Sequence, residues 1–335
     1  MGFGLVGAGI VGTIHARNLA AHPRAALHWV VDVDAPRAQA LAQACGAQAG
    51  TTLEAMLADP RVEIVIVASS TGAHEAQALA CVAAGKALLC EKPLADSLEG
   101  ARRVLAAARA ARVPAAVGFN RRFDAHHRLV HDRVRAGEIG RVETLHLVSR
   151  SPALGDPAAS ARSGGLLRDK GTHHYDLACW LAAAEPVEIY ASGGCLFEPR
   201  CADHGDIDTA ALVLRFDSGA IATFSFSRRS GFGCDEMIEV AGERGLLQSG
   251  RVPAHEVRLY QGDRISGASV HPGWHERFAP TYVAEIDAIV EAVRTGCPPS
   301  PSLADGMRAQ AVAEAAVASL VARRPVAIAD TWSAP

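Results

Sequence analysis

The six residues Gly7-Ala8-Gly9-Ile10-Val11-Gly12 constrain this chain more than any others, because they follow the apolar run Phe3-Gly4-Leu5-Val6 and open a helical stretch. Between a strand and a helix each glycine has its own reason. The first makes the tight turn, the second lets backbone approach a pyrophosphate, and the third lets helix and strand pack closely. The helix N-terminus then turns unpaired N–H groups toward the phosphates. Alone, this pattern is weak evidence. Asp32 strengthens it, ending the next strand-like run twenty residues after Gly12, where a carboxylate accepts hydrogen bonds from ribose hydroxyls. Its charge repels a 2′-phosphate and no arginine follows before Arg37, so NAD is favoured over NADP.

The same alternation continues to about residue 118. Strand-like runs Leu27–Val33, Ile64–Ala68, Ala87–Cys90 and Ala115–Val117 are separated by helical stretches Ile14–Ala21, Ala35–Cys45, Glu75–Ala84 and Leu98–Ala111. Apolar strands divided by helices imply a parallel sheet covered on both faces. The expected fold is an α/β Rossmann domain, a doubly wound parallel sheet, over residues 1–119. After a helix over Ala125–Ala136, the runs Val142–Val148, Val187–Ala191, Ala210–Phe216, Ala220–Ser227 and Met237–Ala241 follow with turns between them, Asp217-Ser218-Gly219 among them. Strands without intervening helices predict an α+β domain with a mostly antiparallel sheet over residues 120–335. Helices near Tyr282–Arg294 and Leu303–Arg323 flank a Pro-rich breaker, and Ala153–Gly165 reads as a long polar loop.

Composition removes several function classes. A length of 335 residues suits two domains with real cores, and no stretch approaches the ~18 apolar residues of a membrane span. With a net charge of -3, no basic run and 5% aromatics, neither a phosphate footprint nor a base-stacking platform is present, so no nucleic-acid partner is expected. The eight cysteines are scattered without a CxxC pair and read as reduced thiols. The first residues run straight into the glycine motif without a signal-peptide pattern, so the cytoplasm is the expected compartment.

Arginine supplies nearly all the positive charge: of 33 basic residues only Lys86, Lys92 and Lys170 are lysines. Lys92 lies in Glu91-Lys92-Pro93, at the carboxyl end of a parallel strand, where open α/β sheets place ligands. A lysine can share a proton beside a forming alkoxide, which arginine cannot. The plainer reading is a surface lysine paired with Glu91. If a helix begins near Asp169, Asp169 and His173 share one face, and a carboxylate beside an imidazole favours the charged ring that a general base for an alcohol forms. The plainer reading there is an N-capping aspartate and a structural histidine. His173, His174 and Asp176 spread around a helix, and Cys195, Cys201 and His204 lack a second half at ligand spacing, so no metal is expected. His126, His127 and His131 read as residues of a solvated helix face.

Taken in order, these motifs resemble the glucose-fructose oxidoreductase, inositol dehydrogenase and MocA family over essentially the whole chain. The likeness is carried by Gly7 to Gly12 with His15, Glu91-Lys92-Pro93, Gly118-Phe119-Asn120-Arg121-Arg122-Phe123-Asp124, Gly137-Glu138-Ile139-Gly140, and Asp169 with His173 and Asp176. Within the family it is most similar to inositol 2-dehydrogenases, through that Gly118–Asp124 run, Ser149-Arg150-Ser151-Pro152 and Val293–Pro299. The resemblance implies that Lys92 is the active-site lysine, that His173 takes the hydroxyl proton while hydride leaves for nicotinamide C4, and that Asp169 partners His173. It implies that Ser69, Thr71 and His74 line the cofactor with Gly7, Gly9, Ile10, Val11, Gly12 and Asp32, and that Glu91 and Asn120 lie near the nicotinamide. Arg121, or Arg122 instead, reaches the substrate, together with Lys92, Ser149, Asp169 and His173. The implied substrate is a small cyclic polyol or sugar, and the second domain's large open sheet mediates assembly into a dimer or tetramer.

The sequence departs from that pattern in places. Ser149 and Ser151 stand where some inositol dehydrogenases carry His and Asn, tyrosines are missing around Phe232-Gly233-Cys234-Asp235, and His174 stands where an acidic residue often follows the catalytic histidine. These changes touch polyol recognition more than hydride chemistry, and leave another sugar or polyol open. A non-catalytic nicotinamide-binding sensor would need no lysine, aspartate and histidine set.

Overall fold

A computed structural model describes residues 1–328, which form two compact units. One comprises Met1–Phe123 and Pro280–Arg308; the other comprises Asp124–Ala279 and the chain from Ala309 onward. This differs from a division at residue 119. Ile286, Ile289 and Val290 are buried in one core cluster with Phe3, Leu5 and Ile64, so this stretch belongs to the first unit. Periodicity marks a helix but not the core it covers. Residues 329–335 of the expected second domain lie outside the described residues.

In the first unit the strands are β1 (Gly2–Val6), β2 (Ala26–Val31), β3 (Gln48–Gly50), β4 (Ile64–Val67), β5 (Ala87–Cys90) and β6 (Ala115–Val117). They pair in the order β3-β2-β1-β4-β5-β6, all parallel. This is the Rossmann arrangement, with its order reversing between β1 and β4. The helices are α1 (Ile10–Ala21), α2 (Ala35–Cys45), α3 (Glu54–Ala58), α4 (Thr71–Ala83) and α5 (Leu98–Ala111). Capping explains the exact agreement at α2 and α5: Asp34 accepts from the Arg37 N–H with Gly46 left-handed at the far end, and Ser97 accepts from the Gly100 N–H. By contrast α1 and α4 each begin four residues before their expected starts at Ile14 and Glu75. Both missed turns belong to loops read as ligand-binding, where small and polar residues hide the helical pattern.

The second unit holds α6 (Ala125–Arg135), β7 (Val142–Arg150), α7 (Pro157–Arg162), a π-helical turn (Leu166–Lys170), α8 (Gly171–Ala182), β8 (Pro186–Gly194), β9 (Thr209–Phe216), β10 (Ile221–Ser227), β11 (Asp235–Gly242) and β12 (Gly245–Ser249). An exposed hairpin, β13 (Arg258–Gln261) and β14 (Arg264–Gly267), follows. Then come α9 (Trp274–Thr295), α10 (Leu303–Ala322), both shared between the units along the chain, and β15 (Val326–Ala327). A seven-stranded sheet runs β12-β11-β7-β10-β9-β8-β15, antiparallel except where β7 meets β10. Tyr175 of α8 stands edge-on to Phe224 and Phe226 of β10, with ring centroids 5.3 and 6.0 Å apart, which packs this helix on one sheet face.

Two expectations change here. The stretch 153–165 is not all loop: α7 forms within it, capped by the Asp156 carboxylate with Pro157 in its first turn, a start signal present in the sequence. Nor are the α6 histidines all on a solvated face. His127 is buried beside Phe278, and His131 stacks on Trp180 at 3.8 Å, so the flat imidazoles pack as aromatics.

Candidate active site

The glycine motif builds a bare platform. Gly7 has φ +101°, and a Cβ there would lie 2.4 Å from the Ala68 carbonyl oxygen. A Cβ on Gly12 would lie 1.9 Å from the Gly7 oxygen, whereas one on Gly9 would meet nothing within 4 Å. Close packing is thus required at two positions and open approach exists at the third. Gly9 caps α1 with no side-chain hydrogen bond, leaving the N-terminal N–H groups near Ile10 and Val11 for an anion, and Ile10 is exposed. Asp32 accepts from the Ala8 N–H at 2.6 Å and the Asp34 N–H at 2.8 Å. An ionised carboxylate offers about four acceptor positions, so capacity for ribose hydroxyls remains. These residues fit a dinucleotide.

Around it, several expected cofactor contacts also make hydrogen bonds within the protein. His74 is buried, with Nδ1 2.8 Å from the Pro93 carbonyl and Nε2 3.1 Å from the Ser69 carbonyl. It ties the loop after β4 to the turn after β5. Ser69 donates to Gln77 at 2.6 Å, and Thr71, half-buried, opens α4. Asn120 is 1% exposed; its amide donates to Thr281 at 2.9 Å and its oxygen accepts from Arg121 at 2.8 Å. Glu91 is buried and meets His15 at 2.8 Å.

Lys92 follows β5 and is half-buried, with a cis peptide to Pro93. The arginines expected at the substrate are held inside this unit. Arg121 is buried against Asn120, Tyr282 and Glu285, and Arg122 pairs with Asp305 at 3.2 Å.

In the second unit the π-turn runs directly into α8, so continuous helical backbone keeps Asp169 and His173 about one turn apart. The turn is fixed on both sides of Asp169. The Leu166 N–H donates to Asp206 at 2.8 Å, and the Arg168 fork grips Glu314 at 2.7 and 2.8 Å. Such π-turns occur frequently at functional sites. Asp169 is not a helix cap, since helical backbone begins before it; its Oδ2 accepts from Ser163 at 3.3 Å. Asp169 and His173 are half-buried, while Thr172, His174 and Asp176 are buried.

A carboxylate that sequence reading missed organises the buried side of this helix. Glu236 of β11 takes His174 Nε2 at 2.7 Å and the Ser149 hydroxyl at 2.9 Å. Ser149, expected among the substrate contacts, is 0% exposed and engaged with Glu236. No motif marks Glu236; its signal is a carboxylate at a strand position opposite Ser149 in the β7–β11 register. Ser149→Ala should cost about 1 kcal/mol of stability and leave KM unchanged. A raised KM with unchanged stability would return Ser149 to the substrate.

Residues 1–119 match the GFO/IDH/MocA description "Oxidoreductase family, NAD-binding Rossmann fold", and residues 127–248 match the GFO/IDH/MocA C-terminal domain. The chain belongs to the GFO/IDH/MocA oxidoreductase family. Inositol 2-dehydrogenase of Rhizobium meliloti is 34% identical to it over 327 residues, covering 98% of this chain and 99% of the relative. Myo-inositol 2-dehydrogenase of Thermotoga maritima is 35% identical over 333 residues, covering 98% and 99%. The solved structure of scyllo-inositol dehydrogenase from Lactobacillus casei, with bound NAD(H) and scyllo-inositol, has a TM-score of 0.92 at 25% identity, covering 98% of this chain and 99% of that one. This GFO/IDH/MocA protein is an NAD-dependent oxidoreductase, and the platform of Gly7, Gly9, Gly12 and Asp32 in its first unit has the shape and acceptor capacity that such a cofactor needs.

Proposed function

We propose that this protein oxidises a secondary hydroxyl of a cyclic polyol to the ketone, as an inositol 2-dehydrogenase. The observation that carries this reading is likeness to inositol 2-dehydrogenases along 98% of the chain, with Lys92, Asp169 and His173 all present. NAD, when bound, supplies the hydride acceptor. His173 takes the hydroxyl proton, and Asp169 orients its imidazole and favours the charged ring. Lys92 places a positive charge beside the forming alkoxide. The anchors on Asp206 and Glu314 support these roles by fixing the turn that carries Asp169.

Reduced-nicotinamide absorbance, followed with NAD and then NADP across inositol isomers and common aldoses, tests the reading. Turnover of an inositol with NAD is expected. Turnover confined to aldoses would select the second reading, a dehydrogenase of another sugar, which the buried Ser149 and the exposed Phe232 favour.

The same reading includes a homo-oligomer, dimer or tetramer, in the cytoplasm. Tyr190, Val213, Ile221 and Leu246 are 40–53% exposed on strands of the large sheet, and Leu259, Tyr260 and Ile265 are exposed on the hairpin, which offers apolar side chains for a second copy to cover. Eight free cysteines support a reducing compartment, and among the described residues no helix is long and apolar enough to cross a membrane. A monomeric mass by light scattering would contradict the assembly.

A further inference from the structure

Three ionisable side chains of the first unit converge: His15 from α1, Glu91 after β5 and Glu285 from α9, exposed by 0%, 8% and 2%. Their donor atoms all lie within 4.8 Å of one another. His15 Nε2 and Glu91 Oε1 are 2.8 Å apart, yet neither oxygen of Glu285 has a hydrogen-bond partner among the described residues. An ionised carboxylate in that position is costly, and the neighbouring Glu91 charge makes it costlier. The other groups facing Glu285 are Arg121 and, one turn earlier on α9, Tyr282, whose ring stands edge-on to His15 at 5.4 Å. Burial pushes the Glu285 carboxyl well above the usual carboxylate range, Glu91 pushes it the same way, and Arg121 opposes them incompletely.

A metal explains the cluster less well. Donors bound to zinc at ~2.0–2.1 Å in a tetrahedron stand about 3.3 Å from each other, whereas His15 and Glu91 approach to 2.8 Å, a direct hydrogen bond. The three residues are therefore arranged for a proton.

We propose that Glu285 is a positioning residue that carries its proton at neutral pH, so that Glu91 is the pair's single carboxylate and stays on His15. His15 lies on α1, whose N-terminal N–H groups are open to an anion, and Glu91 immediately precedes Lys92. The His15–Glu91 bond thus ties the NAD-binding helix to the lysine turn, and a second negative charge at Glu285 would repel Glu91 from that bond. NAD binding is the readout, so failure of the substrate assignment leaves this inference standing.

Linkage gives the sign. In the unfolded chain Glu285 ionises near the ordinary carboxylate value of about 4.3, while the folded protein retains the proton. Unfolding then releases one proton above that value, and the unfolding constant rises about tenfold per pH unit until the folded group ionises too. Stability from this residue is present at low pH and lost as pH rises. Glu285→Gln keeps the neutral shape and removes the linkage. In urea titrations from pH 5 to 7, the ratio of wild-type to Glu285→Gln unfolding constants should climb about a hundredfold; Glu285→Leu serves if the glutamine variant fails to fold. The Kd for NAD at pH 7 should be the same in wild type and Glu285→Gln, and at a pH high enough to ionise the folded Glu285 it should rise severalfold in wild type and not in Glu285→Gln. A ratio of unfolding constants that stays constant across pH overturns the retained proton, and a wild-type Kd that follows the Glu285→Gln value at every pH overturns the positioning role. Stoichiometric divalent metal in the purified protein, absent from Glu285→Gln, would also overturn the proposal.

Discussion

His173→Ala should lower kcat by about 10²–10⁴-fold, the range for removing a general base, with the Kd for NAD unchanged. The separation follows from where the residues lie. His173 is a half-buried side chain of α8 in the second unit, while the dinucleotide platform belongs to the first. Its neighbour His174 holds Glu236 at 2.7 Å, and that contact is kept in the variant. Lys92→Ala should show a comparable loss, and Lys92→Arg should fail to restore the rate, because a guanidinium keeps its charge but cannot share the proton. Steady-state kinetics beside a fluorescence titration with NAD make the check. Loss of cofactor affinity equal to the loss of turnover would contradict the assigned roles.

The second large effect is expected at Gly12. A methyl group there would lie 1.9 Å from the Gly7 oxygen, a backbone atom that cannot swing aside. The start of α1 must then move away from the Gly7 turn, carrying its N–H groups off the phosphates. Each charge-assisted hydrogen bond lost is worth about 1.5–3 kcal/mol, or roughly 10–150-fold in affinity. The overpacking itself costs about 1–3 kcal/mol of stability. Gly12→Ala should therefore weaken NAD binding by more than tenfold and lower the unfolding midpoint together, measured by calorimetric titration and urea denaturation. Gly9→Ala is the internal control, since its Cβ meets nothing in the protein and any loss reports on the ligand alone. Unaltered NAD affinity in Gly12→Ala would mean that the motif is only a packed turn.

What could be read from the sequence is what local chemistry determines. Asp34, Pro36 and Gly46 bound α2 without outside help, and the Gly7 to Gly12 spacing with Asp32 marks the close-packed turn that opens α1. What could not be read depends on partners far along the chain. His74 and Asn120 fall at cofactor-lining positions of the motif, but Pro93 and Thr281 draw them inward. Glu236 becomes informative only when β11 pairs with β7 and brings it to Ser149, and Glu285 only when α9 joins the first unit's core. The π-turn before α8 has no sequence signature, because its anchors, Asp206 on the Leu166 N–H and Glu314 on the Arg168 side chain, lie far along the chain.

The central claim is direct hydride transfer from a ring carbon of a cyclic polyol to NAD, and an isotope measurement addresses it without relying on any variant. Myo-inositol deuterated at the carbon to be oxidised is incubated with the protein and NAD, and the reduced nicotinamide is examined by proton NMR. Deuterium at nicotinamide C4, on one face only and in proportion to ketone formed, is the predicted result. Reduced nicotinamide without deuterium, or ketone formed without reduced nicotinamide, would contradict the account.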